Sequence, residues 1–274
     1  MHPDRETSSY GESHLRMLRV VARGDRHDPH DLTIGLRFEG RLDAMVPGET
    51  VKNLVHRVVR DHEGSAPVET LAIAICEHVL GAHSSIGRAR VEIAEQPWTR
   101  LDAGGKAQGQ AFTPAGAERR TAVVVGSGTR VAVQAGLENL VLLRTGPFKP
   151  AAPGRTSSET ASDAPPRLYV AALGARWSYS GGEIAFAPYR IGIRQAIVDT
   201  FAWHTGPSAL DTLRAMADVL LVSYQDIAQV TLTLQERPYR PVDLLELALE
   251  PDRVFVAHDE PVGLLEVSVE RSGI

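Results

Sequence analysis

An α+β fold made of two tandem units is what this chain predicts, and three observations point there. Apolar residues alternate strictly from Leu32 to Phe38, helix-spaced apolar segments arrive in pairs, and the second half repeats the order of strands, helix pair and strands. Single helices between strands would signal a parallel sheet, whereas helix pairs following strand pairs leave antiparallel sheets with helices on one face.

In the first half, Met17 to Ala22 reads as a short strand and Arg23 to Asp31 as a polar turn. Leu32, Ile34, Leu36 and Phe38 then alternate with Thr33, Gly35, Arg37 and Glu39, which sets one face on a core and the other toward solvent. The Pro47-Gly48 break opens a helix, because Val51, Leu54, Val55, Val58 and Val59 keep the i, i+3, i+4, i+7, i+8 spacing of a buried helical face. A turn that delivers a helix start, as Val46 to Asn53 does, gathers unpaired N–H groups and is a common place for a ligand.

A second helix follows Gly64-Ser65-Ala66-Pro67, with Ser65 as candidate cap, Val68, Leu71, Ala72, Ile75 and Val79 on its buried face, and Gly81 as its end. Ala89 to Glu95, Arg120 to Val125 and Arg130 to Ala135 read as strands, the last two joined through Gly126-Ser127-Gly128, and Leu140 to Leu143 continues the sheet.

Between Thr145 and Pro166 the composition turns to Pro, Ala, Gly, Ser and Thr. Such a stretch cannot offset its ordering entropy by burial and reads as a flexible linker, so the expected division is a unit at 1–145, a linker at 146–166 and a unit at 167–274. In the second half, Leu168 to Tyr179 is strand-like. Ile193, Ala196, Ile197, Thr200 and Phe201 mark one helix, and Leu210, Leu213, Ala217, Leu220 and Leu221 the next. Strands follow at Ile227 to Leu234, Arg253 to Ala257 and Gly263 to Val269.

With 43% apolar residues in 274, the chain has ample material for a core. A net charge of -5 gives no basic surface for nucleic acid or an anionic membrane. Cys76 is the only cysteine, which excludes an intramolecular disulfide and a Cys-rich zinc site. Met1 to Glu12 is polar and no apolar run approaches ~18 residues, so the expectation is a cytoplasmic protein without a membrane span.

Several motifs occur in a telling order: Tyr10-Gly11-Glu12-Ser13-His14-Leu15-Arg16, Thr50-Val51-Lys52-Asn53, Trp98-Thr99-Arg100, Glu118-Arg119-Arg120-Thr121, Thr200-Phe201-Ala202-Trp203-His204 and the stretch from Val254 to Glu266. The set resembles the urate oxidase (uricase) family over nearly the whole chain except the linker. The resemblance implies two tandem tunnelling-fold (T-fold) units, a homotetramer with ligand pockets between subunits, and oxidation of urate by O2 with neither cofactor nor metal.

By the same resemblance, Phe148 falls on the stacking position and Arg167 on the clamp arginine, which pairs with a flat polar edge. The other positions depart from the family. Its relay lysine falls on Glu12 and its relay threonine on Gly48, which has no hydroxyl to pass a proton, while the neighbouring aspartate becomes Glu49. The Val-Gln pair falls on Ala209-Leu210, and the Asn-x-His pattern of the O2 niche on Glu236-Arg237-Pro238.

Glu12, Glu49 and Glu236 are therefore the candidate acid/base or polar groups, and Phe148, Arg167, Gly48, Ala209 and Leu210 the candidate substrate-binding positions. Three carboxylates near Arg167 would repel a urate anion and suit a purine- or pterin-like ring with N–H donors. The leading expectation is cofactor-free, O2-dependent oxidation or related proton chemistry on such a heterocycle. A weak urate oxidase and a non-catalytic partner subunit are the alternatives.

Other constellations read blandly. His27 and His30, beside Asp28 and Asp31, fit a solvated turn better than a metal site. His204 suits a structural or supporting role before catalysis, Cys76 a small buried hydrophobe, and Trp98, Trp177 and Trp203 packing in cores or at interfaces.

Overall fold

The computed structural model describes residues 9–64, 66–145, 168–181, 183–206, 208–242, 254–258 and 263–271. It divides into unit 1, Met1–Leu137 with Ser178–Ala187, and unit 2, Glu138–Trp177 with Pro188–Ile274.

Unit 1 begins with the hairpin of β1 (Ser9–Arg23) and β2 (Arg26–Gly40), turned by Gly24 at φ 60 and Asp25. The expected polar turn at Arg23 to Asp31 thus shrinks to two residues. Paired backbone, not a buried face, carries the strand there, so no apolar alternation announces it. After α1 (Gly48–Asp61) and α2 (Val68–Ala82) come β3 (Ile86–Gln96), the hairpin β4 (Trp98–Ala103) and β5 (Lys106–Pro114), then β6 (Arg119–Ser127) and the start of β7 (Arg130–Thr145). The sheet runs β1-β2-β3-β6 into β7, and β4-β5 form a ribbon of their own. Helix α2 runs on past Gly81 to Ala82.

One core fills unit 1. Leu32, Ile34, Leu36 and Phe38 of β2 meet Val51, Val55, Val58 and Val59 of α1 and Leu71, Ile75 and Val79 of α2, all buried. Each such side chain contributes roughly 1.5–3 kcal/mol by leaving water. Cys76 is buried with them, and burial pushes its thiol up to about 11.

A bulge in β1 positions the rest. Glu12 pairs with Leu36 and Leu15 with Ile34, so β1 carries one residue more than β2 over this stretch. His14 absorbs it at φ 60. A bulge resets the two-residue phase, and both Glu12 and Leu15 thereby face the helix layer.

Unit 2 contains the end of β7, then β8 (Leu168–Tyr179), α3 (Phe186–Trp203), α4 (Ala209–Ser223), β9 (Ile227–Glu236), the ribbon β10 (Tyr239–Pro241) with β11 (Phe255–Ala257), and β12 (Leu264–Glu270). Its sheet order is β7-β8-β9-β12. Leu173, Trp177, Ile193, Ile197, Leu213, Met216, Leu220 and Leu232 form its core. In α4 the buried face is Ala209, Leu213, Met216, Ala217 and Leu220, while Leu210 and Leu221 are only partly covered. Arg271 closes the unit, its guanidinium donating to the carbonyls of Leu221 at 2.6 Å, Tyr224 at 2.8 Å and Ile227 at 3.0 Å.

The duplication extends to single hydrogen bonds. His62, just after α1, lies 3.2 Å from the Thr70 hydroxyl in the first turn of α2. His204, just after α3, lies 3.1 Å from the Thr212 hydroxyl in the first turn of α4. The eight-residue spacing is the same in both helix pairs, so each histidine clasps its own pair, the structural role expected of His204. Among the described residues no helix is long and apolar enough to cross a membrane.

Candidate active site

The start of α1 is held against β1. Tyr10 packs edge-on to Phe38 at 5.6 Å, and its hydroxyl accepts from Val46 N at 3.3 Å. Pro47 then takes the N-cap position with no side-chain cap, and its carbonyl accepts from Thr50 N at 3.0 Å and Val51 N at 3.2 Å. Two positions later in β1, Glu12 reaches the same turn.

Its carboxylate lies directly over Gly48: a β-carbon built there would fall inside the van der Waals envelope of Glu12 Oε1. Glycine 48 and glutamate 12 therefore fit as a pair. Lys52, one helical turn beyond Gly48, brings Nζ to 3.9 Å from Glu12 Oε2 and donates to Glu49 Oε1 at 3.2 Å. The Glu49 hydrogen bond, followed by the charge of Glu12, raises the ammonium above its ordinary 10.5. Glu12 is 26% exposed and Glu49 81%, so the first is set into the turn and the second stands in solvent. Two carboxylates share one ammonium at a helix N-terminus, the end that favours negative charge.

Unit 2 holds the other described positions. Tyr169 donates to Glu236 Oε1 at 3.3 Å, while Glu236 N donates to Gly263 O at 3.1 Å. Burial and then the Glu236 charge push the Tyr169 hydroxyl well above the usual tyrosine range. Arg237, next in the chain, donates from its backbone to Val170 O at 2.8 Å and from its side chain to Asn139 Oδ1 at 3.1 Å. Ala209 is fully buried at the start of α4. Leu210 lines a groove of about 450 Å³ with Arg214 and Asp218 of α4 and Glu266 to Val269 of β12. Phe148 and Arg167 lie outside the described residues.

The remaining polar motifs are committed to the fold. His30 sits on β2, not in a turn, with Nδ1 2.8 Å from Glu95 Oε1 and Nε2 3.0 Å from Gly64 O. Asp28 is engaged by Arg100, which also donates to His27 O and to Gly109 O, the last at 2.7 Å. Among the described residues no three metal-ligating side chains gather. Trp177 is buried under the Arg190 guanidinium, whereas Trp203 is 82% exposed and packs no core.

Lys52, read in the sequence only as part of the helix-opening motif Thr50-Val51-Lys52-Asn53, is the residue whose place beside Glu12 sequence reasoning missed. Its four-residue spacing from Gly48 was the available signal, since i and i+4 share a helix face.

The chain as a whole has relatives among known proteins. A family model described as Uricase matches residues 30–125 and 133–266. The uricase of Arthrobacter globiformis is 25% identical over 276 residues, covering 97% of this chain and 89% of its own. That of Danio rerio is 26% identical over 281 residues, covering 96% and 94%. The crystal structure of the Arthrobacter globiformis uricase aligns with a TM-score of 0.86 at 24% identity, over 100% of this chain and 97% of that one. A uricase structure from Bacillus fastidious aligns with a TM-score of 0.79 at 17% identity, covering 97% and 94%. The fold is the one these structures share, tandem T-fold units with antiparallel sheets and paired helices, and the chain belongs to the uricase family.

Proposed function

We propose that this chain is a divergent uricase-family enzyme that binds a flat nitrogen heterocycle, purine- or pterin-like and other than urate. It acts on that ring without a cofactor, by oxidation with O2 or related proton chemistry. The observation that carries the reading is the Glu12 carboxylate seated over Gly48, at the position where the family resemblance puts a relay amine and hydroxyl.

A carboxylate there can take a ring proton but cannot lend the positive charge that favours an anionic substrate. With Glu49 beside it, one ammonium faces two carboxylates, and an anion entering the turn meets net repulsion. In the oxidation, the ring gives up two electrons and two protons, one proton passing through Glu12 and the other through solvent, and O2 takes both electrons and both protons to become hydrogen peroxide. Phe148 and Arg167 orient the ring, and Glu236 serves as a further polar group. Assembly as a homotetramer with sites between subunits, and a cytoplasmic location, complete the proposal.

The test is a thermal-shift panel of urate, xanthine, guanine and pterin with the wild-type protein and Arg167→Ala. We expect stabilisation by at least one ring other than urate, lost in the variant. No response to any ring in the panel would leave a non-catalytic partner subunit as the better reading.

A further inference from the structure

Resting on that reading, we infer that Glu12 and Lys52 together form a clamp for the lactam edge of the heterocycle, the ring N–H beside a carbonyl, and that Gly48 is the residue that seats it. The carboxylate accepts from the N–H and the ammonium donates to the carbonyl.

Four observations build the clamp. The bulge at His14 turns Glu12 toward the helix layer, where unbulged pairing through Leu15 would turn it away. The absent β-carbon at position 48 leaves the space that Glu12 Oε1 occupies. Lys52 rises one helical turn further along α1 on the same face, and at 3.9 Å from Glu12 Oε2 it is close enough to share a ligand without closing a hydrogen bond. Of its three donors one goes to Glu49, and among the described residues no hydrogen bond to either Glu12 side-chain oxygen is present. An acceptor and a donor thus stand side by side, both partly exposed, and a lactam presents the complementary pair on adjacent ring atoms.

This arrangement selects by pattern as well as by charge. A ring that lacks the carbonyl leaves Lys52 unmatched, and a ring deprotonated at the lactam nitrogen sets its charge against Glu12. Position 48 acts through its neighbour. Any side chain there displaces the end of the Glu12 chain while leaving the core untouched, so Gly48 is a positioning residue.

Calorimetric titration of hypoxanthine, a neutral lactam, against purine, the same ring without the lactam carbonyl and the N–H beside it, tests the clamp with wild type, Glu12→Ala, Lys52→Met, Gly48→Ala and Arg167→Ala. The wild type should favour hypoxanthine by about tenfold or more, the effect of a hydrogen bond to a charged group. Glu12→Ala, Lys52→Met and Gly48→Ala should each erase that preference while the melting temperature without ligand stays close to wild type. Hypoxanthine binding that is lost in Arg167→Ala but unchanged in Glu12→Ala and Lys52→Met would overturn the clamp and leave the functional reading standing. Absence of binding by the wild type to either ring, alongside a silent thermal-shift panel, would overturn both.

Discussion

At Gly11 the backbone of β1 comes so close to β2 that a β-carbon would strike the Leu36 carbonyl, and backbone cannot swing aside as a side-chain tip can. Gly11→Ala should therefore destabilise the protein by roughly 1–3 kcal/mol, read as a lower urea midpoint. His14 runs the other way: it holds φ 60 without being glycine. His14→Gly should be neutral or stabilising by up to ~1 kcal/mol in the same measurement. His62 supplies a pH dependence. Burial, then the charge of Arg19, holds its imidazole below the usual 6.5, so on acidification the unfolded chain takes up the proton first. Its contribution is present above 6.5 and is lost as pH falls through the lower, folded value. His62→Gln should lessen the loss of stability between neutral and mildly acidic pH. At this scale the departures at positions 12 and 48 were legible in the sequence. Their mutual contact was not, because it depends on a bulge that no alternation pattern records. Lys52 was half legible: its spacing from Gly48 marks a shared helix face, but the carboxylate across the turn that gives it a role is not in that pattern.

The elements divide by whether they bury a face. Helices α1 and α2 and strand β2 pack against the core, so their periodicity marked them in the sequence. The β4-β5 ribbon has mostly exposed and partly covered residues, so it carries no apolar alternation, and its turn at Gly104-Gly105, both with positive φ, was the one local cue. What fixes the ribbon is Arg100, which reaches Asp28 and His27 O beside the β1-β2 turn and lies 5.0 Å over the Phe112 ring. Arg100→Ala should leave the unit 1 core protected while amides of 98–114 exchange faster, which hydrogen-exchange mass spectrometry would show. Arg271 plays the matching part in unit 2, where one guanidinium satisfies carbonyls at the end of α4. Arg271→Ala should cost about 2–3 kcal/mol in denaturant unfolding, the scale of charged hydrogen bonds left unmade.

Across the whole molecule, the repetition of strand pair, helix pair and strand pair is legible in the amino-acid sequence, and the clasp His62–Thr70 with its counterpart His204–Thr212 shows it down to single hydrogen bonds. Family membership carries the fold, while the proposed function rests on a few positions that the family resemblance singles out, Glu12 and Gly48 first among them. The sequence names the candidate positions and not their geometry, since Glu12 and Glu49 share Lys52 in unit 1 while Glu236 is engaged with Tyr169 in unit 2. In the proposed function, the carboxylate seated over Gly48 turns this site away from urate. The most direct measurement is the ultraviolet absorbance of urate, followed in aerated buffer with the purified protein. The absorbance should stay level with the enzyme-free control; its rapid loss would overturn the proposed function.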